Sequence, residues 1–261
     1  MQDTFNLGWK IASVVKGLSP KKILDTYQSE RMPVARRLLA FDREIYGAIS
    51  EKAATSSQHA LTSTLKRENS AASGLAVEYE PNVLVSNHSC SSTWGREKLK
   101  AGMRFPNLPI VNHSDGHIGL VHKLLNHSGR WSLIIFGGDS LAAELSKPPF
   151  EIRGASSDAF GAVRPYIIHC ARTQALSIHS FPKIFTPFDE TMGFDYTRVF
   201  AECHSKDGKI KARYQELVMS QTGCMMLVRP DHHIGFIGQL GDVDQLKLFI
   251  SHIWVDTCPI V

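Results

Sequence analysis

The sequence predicts an α/β chain in which a helical segment precedes a domain of interleaved strands and helices. Three observations predict it. Residues 1–50 carry apolar side chains at spacings of three and four, which is the period of helices. From about residue 100 the texture changes to short β-like runs bounded by turn residues. Between them AATSSQHALTSTLKRENSAASG, residues 53–74, is rich in Ser, Thr and Ala with few large apolar residues, and reads as a weak helix or an ordered connection. The boundary is expected after it, giving a helical unit 1–80 and an α/β domain 81–261.

In the opening MQDTFNLGWKIASVVKG, Phe5, Trp9, Ala12 and Lys16 fall near one face and Ile11, Val14 and Val15 widen it. Asp3 or Thr4 is the expected N-cap, and Gly17 the residue that ends the helix. Ser19 and Pro20 announce a second helical start before KKILDTYQSER. Pro33 is expected to open or kink the next segment, in which Val34, Leu38, Phe41, Ile45 and Ile49 keep helical spacing. Strands are expected at PIVNHS, WSLIIFGGD, ALSIHSF, CMMLVRP and HHIGFIG, with a helix at AFGAVRPYIIHCAR. The stretch VDQLKLFISHIW reads as an amphipathic helix with Val243, Leu246, Ile250 and Ile253 on one face. Strands alternating with helices argue for an α/β or α+β domain.

Composition narrows the function classes. A chain of 261 residues with 43% apolar content can bury one large core or two modest ones, and two is preferred. The net charge of +4 is spread without a basic block, which gives no ground for nucleic acid binding. No apolar run reaches the ~18–20 residues that span a bilayer, and residues 1–17 lack the pattern of a secretory signal. The expectation is a soluble, cytoplasmic chain with no membrane partner. The five cysteines, Cys90, Cys170, Cys203, Cys224 and Cys258, never form C-x-x-C, which disfavours a disulfide framework, a zinc site and a dithiol redox motif.

Candidate chemistry is sparse. His113, Asp115 and His117 alternate in NHSDGHIG, so a strand would put them on one face at metal-ligand reach, whereas the Ser-Asp-Gly turn signal would splay them; the turn is preferred and no metal site is assigned. His232 and His233 are expected at the surface or half-buried, on opposite faces of a β-like run. FGGDS at 136–140 reads as a strand-ending turn, and neither a phosphate loop nor a G-x-S-x-G elbow occurs. Cys170 in IIHCAR reads as a buried structural cysteine. No catalytic residue is assigned.

Longer motifs carry a resemblance. Gln2, Asp3, Thr4, Asn6, Leu7, Trp9 and Lys10 match a Q-D-T-x-N-L-x-W-K signature, and Asp25, Thr26, Tyr27, Glu30, Arg31, Pro33, Val34 and Ala35 match a D-T-Y-x-x-E-R-x-P-V-A block. Both resemble the FAD-dependent aromatic hydroxylases of the phenol 2-monooxygenase type, and the wording is most similar to fungal members. GRWSLIIFGGD, FPKIFTPFDETMGFDYTRVF and VRPDHHIGFIGQL are similar to the C-terminal thioredoxin-like dimerisation domain of the same family.

The resemblance implies a helical remnant of the FAD-binding domain followed by that thioredoxin-like domain. In the family, FAD and NADPH serve hydroxylation of a phenolic ring, and the first helix follows the last flavin-contacting loop. Met1, Gln2, Asp3 and Asn6 therefore correspond to a helix start beside that loop. The family's G-x-G-x-x-G and G-x-G-x-N flavin motifs do not occur here, and no Asp-Gly or Gly-Asp pair of this chain is matched to the family's flavin-contacting ones. Backbone N–H groups of such glycine turns cradle the pyrophosphate, so the expectation is that this chain binds no cofactor and is not catalytic alone. A start at a methionine inside a family motif is expected to reflect a clipped or truncated gene. The implied partner is a second copy or a full-length relative; the alternative is a free-standing, non-catalytic dimerisation or binding module.

Overall fold

Apolar runs that do not alternate with polar residues become the centre of a sheet, because a strand covered on both faces has no polar side to present. The computed structural model describes residues 2–51, 77–88, 99–125, 129–137, 163–170, 176–203 and 223–255. Among them the strands are β1 (Pro109–Asn112), β2 (Ile118–Leu120), β3 (Trp131–Phe136), β4 (Val163–His169), β5 (Phe188–Asp189), β6 (Gly193–Phe194), β7 (Val199–Glu202), β8 (Cys224–Val228) and β9 (Ile234–Gln239). One sheet runs β2-β1-β7-β4-β3-β8-β9, and β5 pairs with β6 in a separate hairpin.

β3 and β4 are parallel from Trp131↔Val163 to Phe136↔Ile168, and β8 lies antiparallel to β3. β9 returns antiparallel to β8, and the helix Val243–Ser251 follows. A parallel pair, an antiparallel hairpin and a closing helix make the thioredoxin-like arrangement that the resemblance implies.

Residue parity divides the core. Ile134, Phe136, Tyr166, Ile168, Met226 and Val228 pack on one side of the sheet with Phe105, Ile110 and Val121. Trp131, Leu133, Ile135, Ile167, Met225 and Leu227 pack on the other with Trp9, Ile23, Leu246 and Trp254. Adjacent residues of a strand point to opposite faces, so both faces stay dry.

Four helices border the sheet among the described residues: α1 (Gln2–Val15), α2 (Thr26–Glu51), the short α3 (Val121–Leu124) and α4 (Val243–Ser251). α1 ends as expected. Gly17 has φ +71, its N–H donates to the Val14 carbonyl at 3.0 Å, and the Leu18 N–H donates to Ser13 at 2.9 Å. That is a Schellman closure, which needs a residue free to adopt the left-handed conformation. α4 presents the expected face, with Leu246 and Ile253 buried and Val243 and Ile250 packed beside them.

Other expectations are corrected. The segment AFGAVRPYIIHCAR contains β4 rather than a helix, because residues 163–169 lie between β3 and β7. β7 pairs only with residues 167–169, so Pro165 stands where β4 has no partner on that side and its missing N–H costs no ladder bond. ALSIHSF holds a 3-10 turn, Ile178–Ser180, capped by Ser177, in place of a strand. Asp3 and Thr4 lie inside α1 and do not cap it. Pro20, not Ser19, precedes a 3-10 turn at Lys21–Asp25, and α2 opens at Thr26 and runs through Pro33. On α1 the buried stripe is Asn6, Trp9, Lys10 and Ser13, while Phe5, Ile11 and Val15 are exposed. Along α2, Val34, Phe41 and Ile45 are half-buried and Leu38 is exposed. The expected connection at 53–74 lies outside the described residues, as does most of FGGDS; Gly137 follows β3 and donates its N–H to Ile168.

The outer edge of β9 is covered by irregular chain. Ser86 and Gly102 donate their N–H groups to Gly235 and Ile234, each at 2.7 Å. Gly102 has φ +89, and a Cβ there would collide with the Tyr79 carbonyl. Gly17 shares the positive φ but faces open space. Gly102→Ala is therefore expected to lower the unfolding free energy by about 2–4 kcal/mol, and Gly17→Ala by about 1–2 kcal/mol, measured by denaturant titration.

Candidate functional site

A one-turn step on α1 places Asn6 and Lys10 on the same face, and that face turns inward. Glu30 and Arg31 come from the first turns of α2, Tyr79 and Asn82 from the segment along the β9 edge, and Arg229, Asp231 and His233 from the β8–β9 connection. The connection is held tight by Arg229 and His233, whose backbones bond at 2.8 Å, and by His232, which has φ +66.

These side chains form one buried ion network. Arg229 grips Glu30 with two parallel bonds, Nη1 to Oε1 at 2.6 Å and Nη2 to Oε2 at 2.9 Å. Its Nε and Nη2 also donate to Asp231, at 3.0 and 2.7 Å. Lys10 Nζ donates to Glu30 at 2.8 Å and to Asn6 at 2.9 Å, and Asn6 Nδ2 donates to Glu30 at 2.8 Å and to Asp231 at 3.1 Å. Asn82 Nδ2 adds a bond to Glu30 at 3.2 Å. Arg31 closes the outer side, donating to Asp3 at 2.6 Å, Tyr79 at 3.3 Å and Gln2 at 3.4 Å.

Burial makes this arrangement consequential. Lys10 is 0% exposed and Arg229 1%. The guanidinium of Arg229 lies 5.5 Å from the Trp9 ring and 5.2 Å from that of Tyr79, against which the His233 ring also rests at 4.2 Å. Two buried cations, Lys10 and Arg229, face two buried carboxylates, Glu30 and Asp231, so the centre is neutral as a whole.

Protonation states follow from these contacts. Burial pushes the Glu30 carboxyl upward, but Arg229 and Lys10 outweigh it and hold it at about 2. For Asp231 the same contest, against burial and won by Arg229, sets its pKa far below the carboxylate range. Burial lowers Lys10 to about 8 despite the pull of Glu30, and it stays a cation at neutral pH. Lys10, Arg229, Glu30 and Asp231 each bond to other side chains of the cluster. The arrangement can fix four chain segments against each other.

The remaining sequence candidates lie elsewhere. His113 bonds to His169, Nδ1 to Nε2 at 2.9 Å, and to the Leu176 carbonyl at 3.0 Å, away from Asp115 and the exposed His117. The turn reading holds: Asp115 bonds the backbone N–H of His117 at 2.8 Å. His232 and His233 are both buried, 6% exposed, because the tight connection folds under α1 and the 99–105 segment; the surface or half-buried expectation is corrected. Cys170 is half-buried rather than buried. Of the helix-start group, Gln2, Asp3 and Asn6 spend their side chains on Arg31 and the network, and Met1 lies outside the described residues. Sequence reasoning gave Lys10, Glu30 and Arg229 no role of their own. The available signal was polar residues at Asn6 and Lys10 flanking Trp9 on one helical stripe.

Two family models match the two stretches that meet in the network. A family model described as phenol hydroxylase, C-terminal dimerisation domain, matches residues 77–257. Another, described as FAD binding domain, matches residues 1–42. FAD-dependent monooxygenase ankC of Aspergillus thermomutatus is 32% identical over 268 residues, 97% of this chain and 43% of that protein. Phenol 2-monooxygenase fsqG of Aspergillus fumigatus is 26% identical over 261 residues, 96% of this chain and 43% of that protein. The chain thus spans under half the length of these curated relatives. A solved structure of the flavin-dependent monooxygenase PieE, in complex with FAD and substrate, shares the fold with a TM-score of 0.51 and 17% identity, over 96% of this chain and 43% of that one.

Removing the shared carboxylate would leave two buried cations, Lys10 and Arg229, with Asp231 as the one buried carboxylate between them. Glu30→Gln is expected to cost about 3–5 kcal/mol of unfolding free energy, read by denaturant titration. The pH dependence has a definite sign. A carboxyl held at about 2 in the fold, against an ordinary 4.5, stabilises fully above pH 4.5 and loses that stabilisation as pH falls through 2. The midpoint of thermal unfolding should drop across this window, and less steeply in Glu30→Gln.

Proposed function

The chain belongs to the phenol hydroxylase C-terminal dimerisation domain family, and from that premise we propose that it is the subunit-contact portion of an FAD- and NADPH-dependent aromatic hydroxylase. It serves the hydroxylation of a phenolic ring in the longer enzyme without catalysing it alone. The observation that carries this reading is the ion network. Asn6, Lys10, Glu30 and Arg31 lie in the stretch matched by the FAD binding domain, while Tyr79, Asn82, Arg229 and Asp231 lie in the dimerisation domain. A neutral, fully bonded cluster between the two is what a joint between cofactor domain and contact domain requires.

Exposed apolar side chains support the same reading. On the outer surface of α1 and α2, Phe5, Ile11, Met32, Leu38, Leu39 and Tyr46 are between 42% and 75% exposed. Such a surface fits helices whose outer face packs on the rest of an FAD-binding domain. The helix start at Met1, Gln2, Asp3 and Asn6 then borders the flavin loop of that domain, and the division between domains falls near residue 80. The working state is a homodimer or a dimer with a full-length relative, in the cytoplasm. No helix among the described residues is long and apolar enough to cross a membrane.

Two measurements on the purified chain test the proposal. With added FAD, the visible spectrum should remain that of free flavin, and light scattering should give twice the chain mass. A bound-flavin spectrum would refute the non-catalytic reading, and a strictly monomeric chain the subunit-contact reading.

A further inference from the structure

Beside the network, on the Phe5 side of α1, lies a second group of cationic and imidazole side chains that the joint does not use. The stretch 103–105 holds it together. Arg104 bridges His233 as a β-partner, the Phe105 N–H donates to the His232 carbonyl at 2.8 Å, and His122 Nε2 donates to the Phe105 carbonyl at 2.7 Å. The rings of His122 and His232 lie 4.8 Å apart.

Four buried polar atoms here lack partners among the described residues. His232 is 6% exposed, yet neither ring nitrogen has a hydrogen bond, and Nε2 of His233 and the buried Nε of Arg104 have none either. Among the described residues Arg104 forms no ion pair. A cation with a buried unbonded donor, next to a buried imidazole with two open nitrogens, carries a desolvation cost that no described residue offsets. An anion would offset it.

We propose that Arg104, His122 and His232 form a binding site for a small oxyanion, the carboxylate or phosphate group of a soluble ligand. Arg104 and His122 are half-buried, and His232 is buried with its ring 4.8 Å from that of His122. The guanidinium supplies charge and fork-like donors, and an imidazole supplies an N–H on protonation or tautomer choice. The groups facing His232 are Phe5 from α1, Arg104 from the 103–105 stretch, His122 from α3, and its neighbours Asp231 and His233. Asp231 is the one carboxylate among these, and its oxygens are already taken by Arg229 and Asn6.

The electrostatics agree with an anion-seeking site. Burial, then His122 and Arg104, depress His232 to about 4, and burial with Arg104 also lowers His122. A bound anion reverses the charge part of these shifts, so binding is coupled to proton uptake and tightens as pH falls.

The test uses the full chain at pH 6.5 with inorganic phosphate, acetate and, at matched ionic strength, chloride. Imidazole resonances of His122 and His232 should shift saturably with phosphate, acetate or both, and not with chloride. Arg104→Gln should weaken binding at least ~tenfold, about 1.4 kcal/mol, while its melting temperature in dilute chloride buffer stays unchanged or rises. His232→Asn, whose side chain tolerates the positive φ, should weaken it as well in a folded protein. Response to acetate and phosphate alike assigns a carboxylate-accepting site, and response to phosphate alone assigns a phosphate site. Equal response to chloride, or unchanged binding in both variants, would overturn the proposal.

Discussion

The bidentate contact between Arg229 and Glu30 is the constraint on which the rest depends. Its partners are 199 residues apart in sequence, and both are withdrawn from water. Neither charge could remain there unpaired, because desolvating a single ion costs several kcal/mol. The pair therefore requires α2 to sit against the β8–β9 connection, and through Lys10, Asn6 and Asn82 it requires α1 and the β9-edge segment to arrive too. A buried ion pair is weak evidence of net stability. Its effect is on uniqueness: a different packing of α1 or α2 would leave charges unpaired.

Trp9 links this polar joint to the apolar core. One helical position away from Lys10, its ring meets Trp131 edge-on at 5.6 Å, and the Arg229 guanidinium lies 5.5 Å from it. Trp131 in turn meets Trp254 at 5.8 Å. The order is therefore ion network, Trp9, first residue of β3, then the residues after α4. A displacement of α1 would disturb both the charge pairing and one whole face of the sheet. For a protein of this family, that ties the position of a helix in the FAD-binding stretch to the dimerisation domain.

Legibility varied with how local the cause was. The end of α1 could be read because Gly17 acts within one turn, and the face of α4 because its stripe is conventionally apolar. The buried face of α1 was misjudged because its stripe is Asn6, Lys10 and Ser13 around a single tryptophan, a pattern that periodicity scores as solvent-facing. The residues of β4 were misjudged because VRPYIIH is apolar on both sides, and a short apolar run does not distinguish a doubly covered strand from a buried helix. His232 and His233 looked superficial for the same reason: nothing near them in sequence discloses that α1 and residues 99–105 close over them.

By itself the sequence determined the family, the α/β class, and the motifs at 2–10, 25–35 and 228–240, because these are strings of local identity. Tertiary structure alone decided that the three motifs meet. Their polar residues make sense only as partners: Glu30 is an ordinary helical glutamate until Arg229 is beside it, and Lys10 an ordinary surface lysine until Glu30 is. The physical reason is that a buried charge is specified by its counter-charge, and sequence order carries no record of which distant residue supplies it.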